Sequence, residues 1–475
     1  MDIVISFSTL CIMLVIGKAL RVRVKLFQKL YLPASVIGGL VGLIMIQVLN
    51  GVKPEVATGG WSDSLIAWSD FVSNQATAGW NRLPGFLINI VFAALFLGVF
   101  IPSIKKIWAT AGPQLAYGQI VAWGQYTVGV GIAIILLTPL FGVPSAIGTI
   151  IPVGFEGGHG TAAGLAGVFD RYGWVEGKDL ALTSATCGVL FAIIVGMALI
   201  NWAARRGYTQ RLKRIEDMPD SSIVGIYEVE ERPSAGKQTV AAASVDSLGF
   251  HLAIIGVGVF IGSLIKLGLI QMEVAFSPPA EGGRPFFESF PLFPLCMIGG
   301  LVVQLFFANF TQRNPIDHQL MQRLSGTSMD FLVVAAISTI NLQVVVASVV
   351  PLLILVAFGV LWNVFCVTWL ARRLLPRDSW FERAIAEMGQ SMGVTATGLL
   401  LLRVVDPEGE TDATSAFGYK QLLHEPFMGG GLWTSAAIPL ALAYNPAVVL
   451  GISAAAIAIW LIVWKALFRR QVAAT

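Results

Sequence analysis

Two short stretches carry residue types that could hold ions and small anions. Gly154–Leu165 reads GFEGGHGTAAGL: five of its twelve residues are glycine, and it includes Glu156, His159 and Thr161. Glu387–Leu399 reads EMGQSMGVTATGL and includes Ser391, Gly393, Thr395 and Thr397. Gly157, Gly158, Gly160 and Gly393 remove side-chain bulk and let backbone carbonyls and N–H groups face a ligand. Carbonyl and hydroxyl oxygens suit a hard cation such as Na⁺, and N–H groups at half-helix starts suit a carboxylate. The candidate substrate contacts are therefore Gly157, Gly158, His159, Gly160, Thr161, Gly393, Thr395 and Thr397, with Arg403 closing the second stretch. The candidate Na⁺ ligands are Glu156, Thr161, Ser391 and Thr395. Glycines in apolar helices also serve close packing alone, but two clusters at corresponding places favour a site. His424 and Glu425 begin like a zinc motif, yet Pro426 follows and no second histidine does. With neither a nucleophile–base pair nor a metal cluster, an enzyme is not expected, nor any cofactor or metal beyond Na⁺.

The elements that must position these stretches are apolar helices. The chain has 475 residues, 56% hydrophobic and 12% charged, with 50 glycines. Mean hydropathy is +0.75. Apolar windows of about 20 residues recur, long enough to cross a hydrocarbon core of about 30 Å. The runs are continuous rather than alternating, which argues against a β-barrel. Spans are expected near 2–17, 31–50, 85–101, 115–139, 180–203, 248–271, 291–310, 329–345, 347–370, 417–443 and 446–464. Segments 145–170 and 384–402 are too interrupted by glycine for ordinary spans and read as re-entrant hairpins. With the N-terminus outside, 25 of the 31 Lys and Arg residues, Arg403 and Lys420 among them, fall on the cytoplasmic side and five outside. That asymmetry supports this orientation, with the C-terminus cytoplasmic. Trp61, Trp68 and Trp80 in the first external loop read as an interfacial tryptophan belt. The four cysteines form no CxxC pattern, so neither a disulfide framework nor a zinc site is expected. The net charge of +3 and the absence of a dense basic run give no reason to expect a nucleic-acid partner.

The two halves of the chain resemble each other. PASVIGGLV (33–41) pairs with PLCMIGGLV (294–302), RLPGFLIN (82–89) with RLSGTSMD (323–330), and the two glycine-rich stretches with each other, in the same order. The first member of each pair is expected to run opposite to the second. The expected fold is an all-α polytopic membrane protein: an inverted-topology repeat of about five spans plus one re-entrant hairpin per half, about 11 spans in all. The halves are 1–203 and 248–443, joined by a polar cytoplasmic linker, 204–247, and followed by an extra span and tail, 444–475. Inverted repeats with broken helices are characteristic of secondary transporters. Asn89 and Asp330 are candidate polar groups inside the bundle, whereas His251 and His318 carry no motif.

GGHGT (157–161) followed by FDRYGW (169–174) resembles the signature of the bacterial sodium/glutamate symporter family. YLPASVIGGL (31–40), GVTATG (393–398) and HEPFMGGG (424–431) are similar to further segments of that family, so that the likeness runs over about 31–203 and 248–440. The resemblance implies a Na⁺-coupled glutamate importer of the inner membrane. It also implies a homodimer with a fixed scaffold and a mobile core, working by an elevator-type mechanism, and an architectural relation to the 2-hydroxycarboxylate transporters. Ala396 stands where the family usually has proline, Glu156 where a small or hydroxyl residue is expected, and the last span is additional. These departures leave open another carboxylate as substrate, or a proton-coupled antiporter or channel using Glu156 and Glu387.

Overall fold

A chain buried in lipid must satisfy its backbone N–H and C=O groups internally, which a helix does within one segment. The computed structural model describes residues 2–51, 71, 77–99, 104–209, 226–276, 285–310, 315–407 and 409–474. It is helical, with no strand among the described residues.

The helices that matter here are, in chain order, α1 (Asp2–Arg23), α2 (Ala34–Gly51), α3 (Leu83–Ala94), α4 (Ile104–Ile132) and α5 (Ile150–Gly154). Then come α6 (Gly158–Gly164), α7 (Glu176–Arg205), α8 (Ser247–Phe276), α9 (Phe293–Phe310), α10 (His318–Ser338) and α11 (Val349–Phe365). The last are α12 (Trp380–Met392), α13 (Thr395–Val405), α14 (Ala413–His424), α15 (Leu432–Ala443) and α16 (Pro446–Val463). Among the described residues six helices are long and apolar enough to cross a membrane, and six shorter apolar helices accompany them. The chain is a multi-pass helical membrane protein.

It divides into two compact units. One comprises Met1–Val99, Asp220–Leu267 and Leu295–Asn341; the other comprises Phe100–Pro219, Gly268–Pro294 and Leu342–Thr475. Each unit draws on both halves of the sequence.

In the first unit, glycine permits close helix contact. A Cβ on Gly38 of α2 would lie 2.5 Å from the Met13 carbonyl oxygen of α1. Gly300 of α9 packs so tightly on Ala93 of α3 that a Cβ would overlap its carbonyl oxygen. Histidines here close the backbone. His251 Nδ1 bonds the Ser247 carbonyl (2.6 Å), leaving Nε2 to accept from Asp317 N–H (2.8 Å). His318 Nδ1 donates to the Leu97 carbonyl (3.0 Å). Asn89 spends its amide on its own helix, at Gly85 (2.9 Å), and Asp330 is exposed on α10 rather than enclosed in the bundle. Trp80 departs from the belt reading: it is buried, and its indole N–H donates to the Ser6 carbonyl (3.3 Å). A fixed internal acceptor outweighed the interface for this ring. Trp61 and Trp68 lie outside the described residues.

The second unit is built on long helices and interrupted ones. Helix α4 contains Pro113, which has no N–H for the Ala109 carbonyl one turn back. Gln471 Nε2 supplies the missing donor at 2.9 Å. Three segments break. The first lies between α5 and α6, at 155–157, and the second between α12 and α13, at Gly393–Val394. The third falls between α14 and α15, at 425–431, where one continuous span, 417–443, is expected from hydropathy. Pro426 cannot continue the ladder, and Gly429 (φ +64°) and Gly430 (φ +103°) turn the chain instead.

Candidate functional site

The three breaks meet within the second unit. Gly158 opens α6 with φ +66°, and a Cβ there would lie 3.1 Å from Val394 Cγ1 and 3.5 Å from the Gly393 carbonyl oxygen. A Cβ on Gly429 would lie 3.4 Å from the Glu156 carbonyl oxygen. Thr161 Oγ1 donates to the Gly429 carbonyl at 3.4 Å. The glycines let three irregular backbones approach closely, as a site made from backbone groups requires.

Beneath these tips lies a buried polar network, in which donor-only groups fix every orientation. The Trp123 indole N–H donates to Gln119 Oε1 (2.9 Å), so the Gln119 amide nitrogen faces His424 Nδ1 (3.2 Å). An amide N–H facing Nδ1 makes Nδ1 the acceptor and leaves the proton on Nε2. That Nε2–H donates to Glu156 Oε1 at 2.6 Å. The hydrogen-bond pattern therefore describes a neutral imidazole, which does not offset the Glu156 charge. Lys420 Nζ, also donor-only, bonds Glu387 Oε1 (2.7 Å), Gln421 Oε1 (2.9 Å) and Gln390 Oε1 (3.2 Å). With its oxygen committed, Gln390 turns its nitrogen to Glu156 Oε1 at 2.8 Å. Gln114 Nε2 completes the shell of Glu387 at Oε2 (2.9 Å). Lys420 and Glu387 are both 0% exposed.

The two carboxylates thus differ. Glu387 has a lysine on one oxygen and an amide on the other. Glu156 has two neutral donors on Oε1 and, among the described residues, no hydrogen-bond partner at Oε2, which is buried. A buried carboxylate oxygen without a donor is costly unless a cation or a proton completes it.

The other candidates take varied places. His159 Nε2 bonds Thr186 Oγ1 of α7 (3.0 Å), which fixes the ring behind the first break. Gly157 and Gly160 sit at that break and in the first turn of α6. Thr395 Oγ1 donates to Glu425 Oε1 (3.0 Å) and accepts from Gln421 Nε2 (2.7 Å). Ser391 donates to Asn363 Oδ1 (2.6 Å), and its carbonyl accepts from Gln125 (2.6 Å). Thr397 is buried with its hydroxyl against Gly393. Arg403 is exposed, eight residues beyond Thr395 on α13, and is not drawn into the cluster. Lys420, expected on the cytoplasmic side, is instead the buried cation of the network. An apolar recess of about 560 Å³, lined by Gln119, Trp123, Phe427, Trp433 and Trp460 among others, reaches the network at Gln119.

Lys420, Gln421, Gln390, Gln114 and Gln119 belong to the network without being singled out by any of the sequence motifs. The available signal was Lys420, Gln421, His424 and Glu425 at i, i+1, i+4 and i+5. On a helix this spacing sets two polar pairs, 420/424 and 421/425, on adjoining faces.

Interrupted helices converging on buried charge define a class: membrane transporters whose sites are made from discontinuous helices. The sodium/glutamate symporter family matches residues 81–406 of the chain. The chain belongs to this family, and is a transporter rather than an enzyme. The match contains both glycine-rich stretches, while residues 31–80 and 407–440, also read as similar, lie outside it. No curated protein shows significant similarity to the chain. The family implies Na⁺-coupled glutamate transport.

Proposed function

We propose that this chain imports glutamate across the cytoplasmic membrane with Na⁺, the second unit carrying the substrate at its three helix breaks. The observation that carries this reading is the buried Oε2 of Glu156, which no donor among the described residues completes, beside the close, glycine-permitted approach of three helix breaks. In this reading Na⁺ sits at Glu156, with Thr161, Ser391 and Thr395 as candidate hydroxyl ligands. The substrate carboxylate is met by N–H groups at the start of α13, beside the half-exposed Val394, and by the backbone of 157–161. Once Na⁺ neutralises Glu156, a second anion can enter without facing an uncompensated buried charge. This order makes binding of the two cooperative, which is what symport requires. Arg403, exposed outside the cluster, has no part in it.

Transport by elevator-type displacement is the natural motion if the substrate-bearing breaks move with the helices that hold them. We further propose the inverted repeat with re-entrant hairpins, a homodimer, an external N-terminus and a cytoplasmic C-terminus. Support comes from the internal sequence repeat, the cation distribution and the family.

The test is uptake of labelled glutamate by proteoliposomes under an inward Na⁺ gradient, a K⁺ gradient of equal size, or a pH gradient. Accumulation only with Na⁺ is expected. Accumulation driven by pH and indifferent to Na⁺ would instead favour proton coupling through Glu156 and Glu387.

A further inference from the structure

Glu156, Glu387 and His424 bring one ligand atom each to within 4.8 Å of one another, a spacing at which a cation could be held. The hydrogen bonds show how that space is used. The Lys420 ammonium already lies on Glu387 Oε1, and its other two protons go to Gln390 and Gln421. Three donors meet three oxygens, so the ammonium is fully used. Helix α4 is shaped to admit it: a Cβ on Gly118 would lie 2.5 Å from Lys420 Cε and 2.6 Å from Glu387 Oε1. Any side chain there would push the pair apart. Lys420 also lies beyond the residues the family matches, so the match itself does not account for it.

We infer that Lys420 is a tethered cation that fills, permanently, a position otherwise open to a coupling ion. Its oxygen shell, one carboxylate and two amide carbonyl oxygens, resembles the shell a dehydrated monovalent cation needs. Glu387 is thereby neutralised in every state of the transport cycle, loaded or empty. Only Glu156 retains an open carboxylate oxygen for an ion that comes and goes. Gln390 links the two carboxylates, its oxygen on the fixed cation and its nitrogen on Glu156. The network therefore exchanges one cation fewer than its two carboxylates would allow. This rests on the sodium-symport reading for the identity of the ion, but its test needs no transport.

The test is thermal unfolding of the purified full chain against NaCl, with choline chloride holding ionic strength constant. Ligand that binds only the folded state raises the melting temperature by mass action, so the curve counts Na⁺-linked steps. Lys420→Ala is expected to melt lower than wild type in choline and to recover in Na⁺, its Hill slope about one greater than wild type. A Lys420→Gln/Glu387→Gln double variant removes both charges together, so that neither is left buried and unpaired. It is expected to keep the wild-type number of Na⁺ steps. A Lys420→Ala curve parallel to wild type would overturn the inference, as would loss of one Na⁺ step in the double variant. If Lys420→Ala fails to fold in either salt, the double variant alone decides. A wild-type chain that binds Na⁺ but never glutamate would defeat the substrate reading and leave this inference standing.

Discussion

The two units use the same residues for opposite ends. In the first, glycine shortens the distance between intact helices, as Gly38 does on Met13 and Gly300 on Ala93. Its buried histidine, His251, is spent on backbone groups, the Ser247 carbonyl of its own helix and the Asp317 N–H ahead of α10. In the second, glycine opens helices, and buried polar side chains contact one another across elements far apart in sequence. Glu156 reaches Gln390 and His424, and Glu387 reaches Lys420 and Gln114. A glycine that packs stabilises a scaffold; a glycine that breaks exposes backbone to a ligand at some cost in stability. On the function proposed above, the first unit would serve as scaffold and the second as carrier.

Substitutions can sharpen or break that contrast. The largest effect is expected for Glu387→Ala, which leaves the Lys420 ammonium buried without its carboxylate. Breaking a buried pair in this way costs about 3–5 kcal/mol, so a steep fall in melting temperature and in folded yield is expected by fluorescence-detected chromatography. Unchanged stability would remove the pair from the account. Gly300→Leu comes next, forcing α9 from α3 at about 1–3 kcal/mol, as overpacking does. Its melting temperature should drop while glutamate uptake per folded molecule stays near wild type. A loss of uptake in well-folded Gly300→Leu protein would contradict the proposal that the first unit serves as scaffold.

Gly158→Val should do the reverse. The left-handed backbone costs a branched residue about 1–2 kcal/mol, which a large membrane protein absorbs, but the side chain would press on Val394 and fill the meeting point of the breaks. Uptake should fall at least tenfold with the folded yield largely kept. Normal uptake would show that the tips are not the site. The smallest effect belongs to Thr395→Val, which takes a hydroxyl from Glu425 and Gln421 while these retain their 3.1 Å bond to each other. A rise of a few-fold in the Na⁺ concentration for half-maximal uptake is expected. No change would mean that the Thr395 oxygen lies outside the ion's shell.

Much of this was legible in the residues and some was not. Apolar length predicts the long helices, and glycine clustering predicts breaks at 155–157 and 393–394. The likeness of Glu156 to Glu387 anticipates two related carboxylates, which lie in a single network. What hydropathy hides is the partner of a charge. Lys420 sits next to a polar segment and counts as a cytoplasmic cation on statistics. Its burial is decided by Glu387, 33 residues away, and by a glycine on α4, facts of three-dimensional packing that no local window contains. The third break is hidden in a similar way. Pro426 and the glycines after it are visible, but the surrounding residues are apolar enough to average into one span. Arg403 shows the converse, since sequence proximity to a motif does not aim a side chain at it. Glu156, the residue that departs most from the expected family pattern, has become the centre of the ion site proposed here.

The central claim is that glutamate and Na⁺ bind together where the helix breaks meet. Val394 lies at that point and is 37% exposed, so a Val394→Cys variant can report directly on occupancy. Its alkylation rate is to be followed by mass spectrometry at that position, so that the native cysteines do not interfere. Marked slowing is expected with glutamate and Na⁺ together, and little change with Na⁺ alone or with glutamate in choline. A labelling rate indifferent to the pair, in protein that still transports glutamate, would contradict that claim.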